Sequence, residues 1–256
     1  MTYNTQEAPV TLTSSPIKMS PFSRAVLSIG RHKSYPYICF ILVIASYLYT
    51  EPFAEFDLRY GISFFGAITG LICVILMTRR SQIANYFGLL STFGESIGNF
   101  LGGNIGAGLP HIYNFSTHVY GVINWRKNHD ADDKVITRSL TLKQYLYVAL
   151  AFILIFLFNI VITRMLGVEN TFWQLILNGF IFGLAIPAQT LLMMRYDFSW
   201  YLWVLMNIFM VILNFFGPEP NPVIGAQYSV YLFNSLYGLV EWRTFARSYE
   251  AENSTV

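Results

Sequence analysis

Four residues in one short stretch have the types and the spacing to hold a solute: Trp200, Trp203, Asn207 and Asn214. Their three-four spacing places them on one face of a helix. If that helix starts near Asp197, Trp203 lies about 9 Å along it and Asn207 about 15 Å. The second depth is the middle of a hydrocarbon layer roughly 30 Å thick. An amide there is costly unless it faces other helices or water. Gln189 precedes Arg195, and Asn234 precedes Arg243, by lengths that bring both to similar depth, about 9 and 14 Å. Pro187, just before Gln189, removes a backbone hydrogen bond and predicts a kink. Indole faces suit a flat, preferably cationic ring. Asn and Gln offer donor and acceptor together, as a carboxamide or a sugar hydroxyl requires. The set fits a polar heteroaromatic nucleoside, not a lipid or an inorganic ion. Two plainer readings stand beside it: such amides can join helices across a bundle, and Trp200 can be an interfacial anchor.

Asn85, Thr92, Asn99, Asn114, Thr117 and His118 are further interior candidates. Glu95 is the lone acid deep within an apolar stretch. It can draw a cation or carry a coupling proton, or a local hydrogen bond can satisfy it. No phosphate-binding Gly-x-x-x-x-Gly-Lys-[Ser/Thr] loop is present, and no His/Cys/carboxylate group has metal-ligand spacing. No cofactor, metal or nucleic-acid partner is expected. Cys39 and Cys73 sit inside apolar runs and read as buried thiols. A membrane enzyme would need paired acids or histidines at one interface; His129, Asp130, Asp132 and Asp133 come nearest. Lys127, Lys134 and Arg138 interleave with them, so the stretch reads as a solvated mixed-charge connector. A receptor without transport would keep the pocket and show no flux.

The elements that would position these residues are membrane helices. The chain is 54% hydrophobic and 12% charged, about half the charged fraction of a soluble domain. Eight candidate spans cover about 35–50, 60–78, 83–101, 105–125, 144–163, 172–194, 199–216 and 223–242. With the N-terminus inside, of the 16 Lys and Arg only Arg59 and Arg164 fall outside. That bias predicts both termini in the cytoplasm.

Tyr-Gly-x-x-x-Trp-Arg occurs at Tyr120–Arg126 and again at Tyr237–Arg243, each time closing an apolar stretch. An aromatic belt can produce one such string. Two copies at equivalent span ends point to an internal duplication. Similar basic turns, Leu76-Met77-Thr78-Arg79 and Leu192-Met193-Met194-Arg195, precede the middle span of each unit. The fold expected is an all-α integral membrane protein of about eight transmembrane helices. A parallel 3+1+3 repeat of SWEET type would follow an extra N-terminal helix. Its parts are a disordered cytoplasmic tail (1–34), the extra span and outer loop (35–59), a first three-helix repeat (60–127), a loop and linker helix (128–170), a second repeat (171–247) and a cytoplasmic tail (248–256).

Over roughly residues 60–247 the chain resembles the PnuC family of bacterial nicotinamide riboside transporters. The resemblance rests on Ala188-Gln189-x-Leu-Leu-Met-x-Arg195, on Trp200-x-x-Trp203-x-x-x-Asn207, on Asn85-Tyr86-Phe87-Gly88 and on the two Tyr-Gly-x-x-x-Trp strings. It implies an inner-membrane uniporter for nicotinamide riboside, with Trp203 and Asn207 on the substrate and Trp200 and Gln189 close by. Asn234 and the string tyrosines, Tyr120 and Tyr237, complete the expected site. It implies a homotrimer, and net uptake maintained by a cytoplasmic riboside kinase. The alternative is a thiamine or related vitamin carrier of the same fold. Glu95 falls in none of these strings.

Overall fold

The computed structural model describes residues 19–50, 58–101, 105–167, 171–217, 220 and 222–253. Nine helices occur among them: α1 (Pro21–Arg31), α2 (Tyr35–Thr50), α3 (Leu58–Thr78), α4 (Ala84–Leu101), α5 (Ile105–Arg126), α6 (Leu142–Met165), α7 (Phe172–Met193), α8 (Ser199–Phe216) and α9 (Pro222–Asn253). Helices α2 to α9 follow the eight expected stretches. By length and apolar composition α6, α7 and α8 can each cross a membrane, and shorter apolar stretches lie at Tyr35–Ser46 and Phe64–Thr78.

Two expectations are corrected. The chain is ordered well before residue 34. Ser20 caps α1 by accepting from Ser23 N at 3.1 Å, Pro21 enters the first turn, and Val26, Leu27 and Gly30 are buried. That apolar stripe lies on α9, and burying it fixes an otherwise polar segment. Residues 1–18 lie outside the described residues. The last helix also continues past residue 242 to Asn253. At 32 residues it is about 48 Å long, so it projects beyond a bilayer core.

Helices α3, α4 and α5 pack in chain order, as do α7, α8 and α9. Helix α5 meets α7 and α9 meets α3, which closes the six into a ring. Helix α6 lies outside on α7; α1 and α2 lie outside on α9. The α6–α7 seam is a glycine groove. Phe156 fills the space over Gly179, and Phe152 that over Gly183. Small residues four apart let helices approach where hydrophobic burial gives little gain.

The turns α3–α4 and α7–α8 repeat one hydrogen-bonding scheme. Arg80 N donates to Met77 O and Ser81 N to Leu76 O; Arg195 N donates to Leu192 O and Tyr196 N to Leu191 O. Both arginines are left-handed, at φ 57° and 69°, a region most side chains avoid. An extended strap at 134–138 joins them. Val135 N donates to Arg80 O at 2.8 Å, and Arg138 N to Arg195 O at 3.0 Å. The guanidinium groups answer: Arg80 donates to Val135 O at 3.1 Å and Arg195 to Ile136 O at 2.9 Å. Four hydrogen bonds thus tie the strap to the two turns, where both arginines are buried.

Candidate functional site

Helix α8 carries the expected face inward. Asn207 is 2% exposed and donates from Nδ2 to Ser235 Oγ of α9 at 2.8 Å. Ser235 Oγ donates in turn to Tyr231 O at 2.9 Å. Asn207 Oδ1 is left buried without a protein partner. One turn back, Trp203 is half-buried at the edge of the Trp125–Trp200–Trp242 cluster, and its Nε1 also lacks a partner. A buried polar atom left open costs about 1–3 kcal/mol. An unfilled acceptor and an unfilled donor one turn apart are what a small amide would complete.

A second polar chain crosses from α7 to α4. Gln189 Nε2 donates to Thr117 Oγ1 at 3.1 Å and stands 3.4 Å from His118 Nε2. His118 Nδ1 lies 3.1 Å from Asn85 Oδ1. Asn85, Gln189 and His118 are all buried. Pro187, inside α7 two residues before Gln189, is also buried. Tyr113 bonds Thr190 on the same α5–α7 seam.

The tryptophans do structural work that spacing alone hides. Trp125 Nε1 donates to Met193 O at 3.1 Å, and Trp242 Nε1 to Met77 O at 2.9 Å. Each string tryptophan thus pins the basic turn of the other half, and their rings lie 5.6 Å apart. Trp200 is 2% exposed, 5.7 Å from the Trp242 ring. It packs on Gly238, where a Cβ would fall 2.6 Å from the indole. Gly121 is seated in the same way against Asn85 and Met193. These contacts explain the repeated string: its glycine seats the middle helix, and its tryptophan crosses to the opposite turn.

The remaining expected residues separate. Asn234 is buried beside the Cys39 thiol of α2, and donates to Val230 O at 3.1 Å. Tyr237 is buried between Gly30 and Tyr35, at the α1–α2 corner. Tyr120 is 48% exposed on the outer face of α5. Glu95 Oε2 stands 2.8 Å from His111 Nδ1 and Oε1 stands 3.4 Å from Ser91 Oγ; Gly66 and Gly70 abut it. Cys39 and Cys73 are buried and unpaired. Asp130 accepts from Lys134 N at 2.8 Å and lies 3.6 Å from Arg80, so it shapes the connector. No group of three metal-ligating side chains occurs among the described residues. The side chain of Asn99 lies outside them. Ser235 was not among the expected site residues. Its signal was positional: it stands two before Tyr237, as His118 stands two before Tyr120.

A family model described as "Nicotinamide mononucleotide transporter" matches residues 60–244. The chain belongs to that family. Among curated members, the nicotinamide riboside transporter PnuC of Haemophilus influenzae is 30% identical over 183 residues, 68% of this chain and 76% of that one. The PnuC of Neisseria mucosa, with the same description, is 26% identical over 208 residues, 73% of each chain. A crystal structure of the vitamin B3 transporter PnuC superposes at a TM-score of 0.65. It is 21% identical and covers 90% of this chain and 99% of that one, which establishes a shared fold. The family match begins within α3 and ends in α9. It contains Trp203, Asn207, Ser235 and the Gln189 chain, and leaves α1 and α2 outside.

Proposed function

We propose that this chain carries nicotinamide riboside across the inner membrane of a bacterium by facilitated diffusion. The observation that carries the reading is the pair of open groups on α8, Asn207 Oδ1 and Trp203 Nε1. A nicotinamide carboxamide supplies the complement: its N–H₂ donates to Asn207, and its carbonyl accepts from Trp203. The indole face beside them suits the cationic pyridinium ring. Gln189, with Thr117 and His118, forms a second polar wall for the ribose, and Trp200 buttresses α8 from behind. Tyr120 and Tyr237 lie away from this face.

The family description names the mononucleotide, and the curated relatives name the riboside. The riboside is the better fit. Helices α4, α7 and α8 contain no Lys or Arg, so a phosphate drawn to the depth of Asn207 would meet no cation there. Net uptake is then maintained by a cytoplasmic kinase that phosphorylates the riboside and holds it inside.

The architecture we infer is a SWEET-like parallel 3+1+3 repeat: α3–α5, linker α6, and α7–α9. Helix α2 precedes it, for eight crossings in all. The matching turns and the reciprocal tryptophan bonds support the repeat. Both termini and the basic turns face the cytoplasm. The exposed apolar surface of α6, which buries none of its residues fully, faces lipid and neighbouring copies of a homotrimer.

The test is a ligand series on the purified protein. Nicotinamide riboside is expected to raise the melting temperature with the logarithm of its concentration over Kd, ahead of thiamine and riboflavin. It is also expected to exchange across proteoliposomes. Binding without flux would make the protein a receptor; stronger stabilisation by thiamine would reassign the substrate.

A further inference from the structure

A cavity of about 640 Å³ opens at the basic end of the bundle, away from the α8 face. Its walls are the α1–α2 corner, the Arg79–Arg80 turn, the strap at Lys134 and α9 at Tyr237 and Glu241. Five cations line it, Arg31, Lys33, Arg79, Arg80 and Lys134, against one acid, Glu241. That acid is taken: Arg31 holds Glu241 at 2.7 Å. Arg80 is committed too, to Val135 O, to Asp130 and to the Phe245 ring face 3.4 Å away. Lys33, Arg79 and Lys134 have no acid within ion-pairing distance among the described residues. Three uncompensated charges therefore converge on one concavity.

A bias of cations to one membrane face predicts basic residues at this end, but not this arrangement. Three other cations near this end are covered by tyrosines. Arg243 bonds the Tyr201 hydroxyl, Arg138 donates to Tyr196 Oη at 2.7 Å, and Lys143 lies over the Tyr147 ring. Arg126, Lys127 and Arg247 are exposed on the surface, whereas on the α1–α2 side the open cations border a space large enough for a polar headgroup or a mononucleotide. The outer rim is aromatic: Tyr37, 70% exposed, and Phe40 line it beside the cations.

We propose that this cavity is a binding site for a phosphate group, held by Lys33, Arg79 and Lys134. The phosphate belongs to an anionic lipid headgroup or to a soluble phosphate monoester. Tyr37 and Phe40 then pack on the acyl chain of the first or the base of the second. Bonded at once to the α1–α2 corner, the α3–α4 turn and the strap, the ligand ties the corner to a turn and strap that are already bonded to each other.

The full chain in uncharged detergent tests this by melting curves. The probes are phosphatidylglycerol, phosphatidylcholine as the neutral control, inorganic phosphate and AMP. The variants are Lys33→Gln/Arg79→Gln/Lys134→Gln and, with equal charge removed from exposed sites, Arg126→Gln/Lys127→Gln/Arg247→Gln. Stabilisation by phosphatidylglycerol alone assigns the lipid source; stabilisation by AMP or phosphate assigns the soluble one. Either effect is expected to survive in the exposed-site variant and to need roughly a hundredfold more ligand in the cavity variant. Should the triple variant fail to fold, Arg79→Gln and Lys134→Gln singly are each expected to need several-fold more. No stabilisation by any phosphate ligand, or equal loss in both variants, overturns the site.

Discussion

Gly88 and Trp203 each follow a left-handed arginine by eight residues, Gly88 after Arg80 and Trp203 after Arg195. At the first position bulk is given up on the middle helix and taken up on the next one: a Cβ on Gly88 would strike the His118 ring. At the second the exchange is reversed. The middle helix carries an indole, and the residue matching His118 is the small Ser235. One half of the bundle is therefore filled by its own imidazole, while the other presents Trp203 and an open amide.

Gly88→Ala is expected to destabilise the protein by about 1–3 kcal/mol. His118 cannot yield freely, because Asn85 and Gln189 hold both its nitrogens. Thermal melting without ligand reads the loss. An unchanged melting temperature would show that the His118 ring swings aside.

Trp203→Ala is expected to weaken riboside binding by roughly 1–2 kcal/mol, about five- to thirtyfold. Asn207→Leu separates two roles. A substrate contact predicts normal melting with poor binding; a helix join through Ser235 predicts low melting with affinity kept. Ser235→Ala is the companion, removing the protein partner alone. A stable Asn207→Leu protein of normal affinity would strike Asn207 from the site.

Trp125→Phe and Trp242→Phe each remove one indole donor from a buried carbonyl, Met193 O or Met77 O. Each carbonyl keeps another donor, Asn124 Nδ2 on Met193 O and Arg80 N on Met77 O, so each loss is expected to cost about 0.5–1.5 kcal/mol. Because the two rings touch, the double variant should depart from additivity. A cost confined to one tryptophan would contradict the reciprocal arrangement.

Exchange is expected to need neither ATP nor an ion gradient. Glu95 of α4 already stands against His111 and Ser91, and α8 carries no acid. The check is uptake into liposomes with and without a protonophore. Uptake that collapses with the protonophore, and a Glu95→Gln protein that no longer responds to it, would make Glu95 the coupling group.

Orientation can be read with single cysteines. Arg247→Cys and Leu166→Cys are both exposed sites, and the native thiols are buried. An impermeant maleimide on intact cells is expected to reach position 166 and not 247. Labelling of both, or of neither, would break the proposed topology.

The helix limits were legible because apolar run length and basic breaks mark them directly. The α8 face was legible because a three-four spacing of Trp and Asn leaves few other geometries. The α1 helix was obscured by polar composition, since its order comes from a stripe that only α9 reveals. Tyr237 and Tyr120 share a string but not a surroundings: one meets Gly30, the other the outer face of α5. Local sequence is equal at the two sites, and the difference comes from helices that only one half possesses. Spacing places Trp200 on the same face as Trp203 and Asn207, and only the structure reveals its seat on Gly238.

The strap at 134–138 has a mechanical consequence. It is bonded by backbone groups to both left-handed turns, and Thr137 adds a contact to Trp242 O at 3.4 Å. The halves of the ring are thereby stitched at the basic end, and among the described residues no comparable cross-tie exists at the other. Parting the halves at the stitched end means breaking several bonds together; parting them at the other end breaks none of these. The ring is in this respect a pair of tongs with its rivet at the basic end. With that end inward, as proposed, a solute entering from outside needs only the tips to spread, and its release inward must work around the rivet.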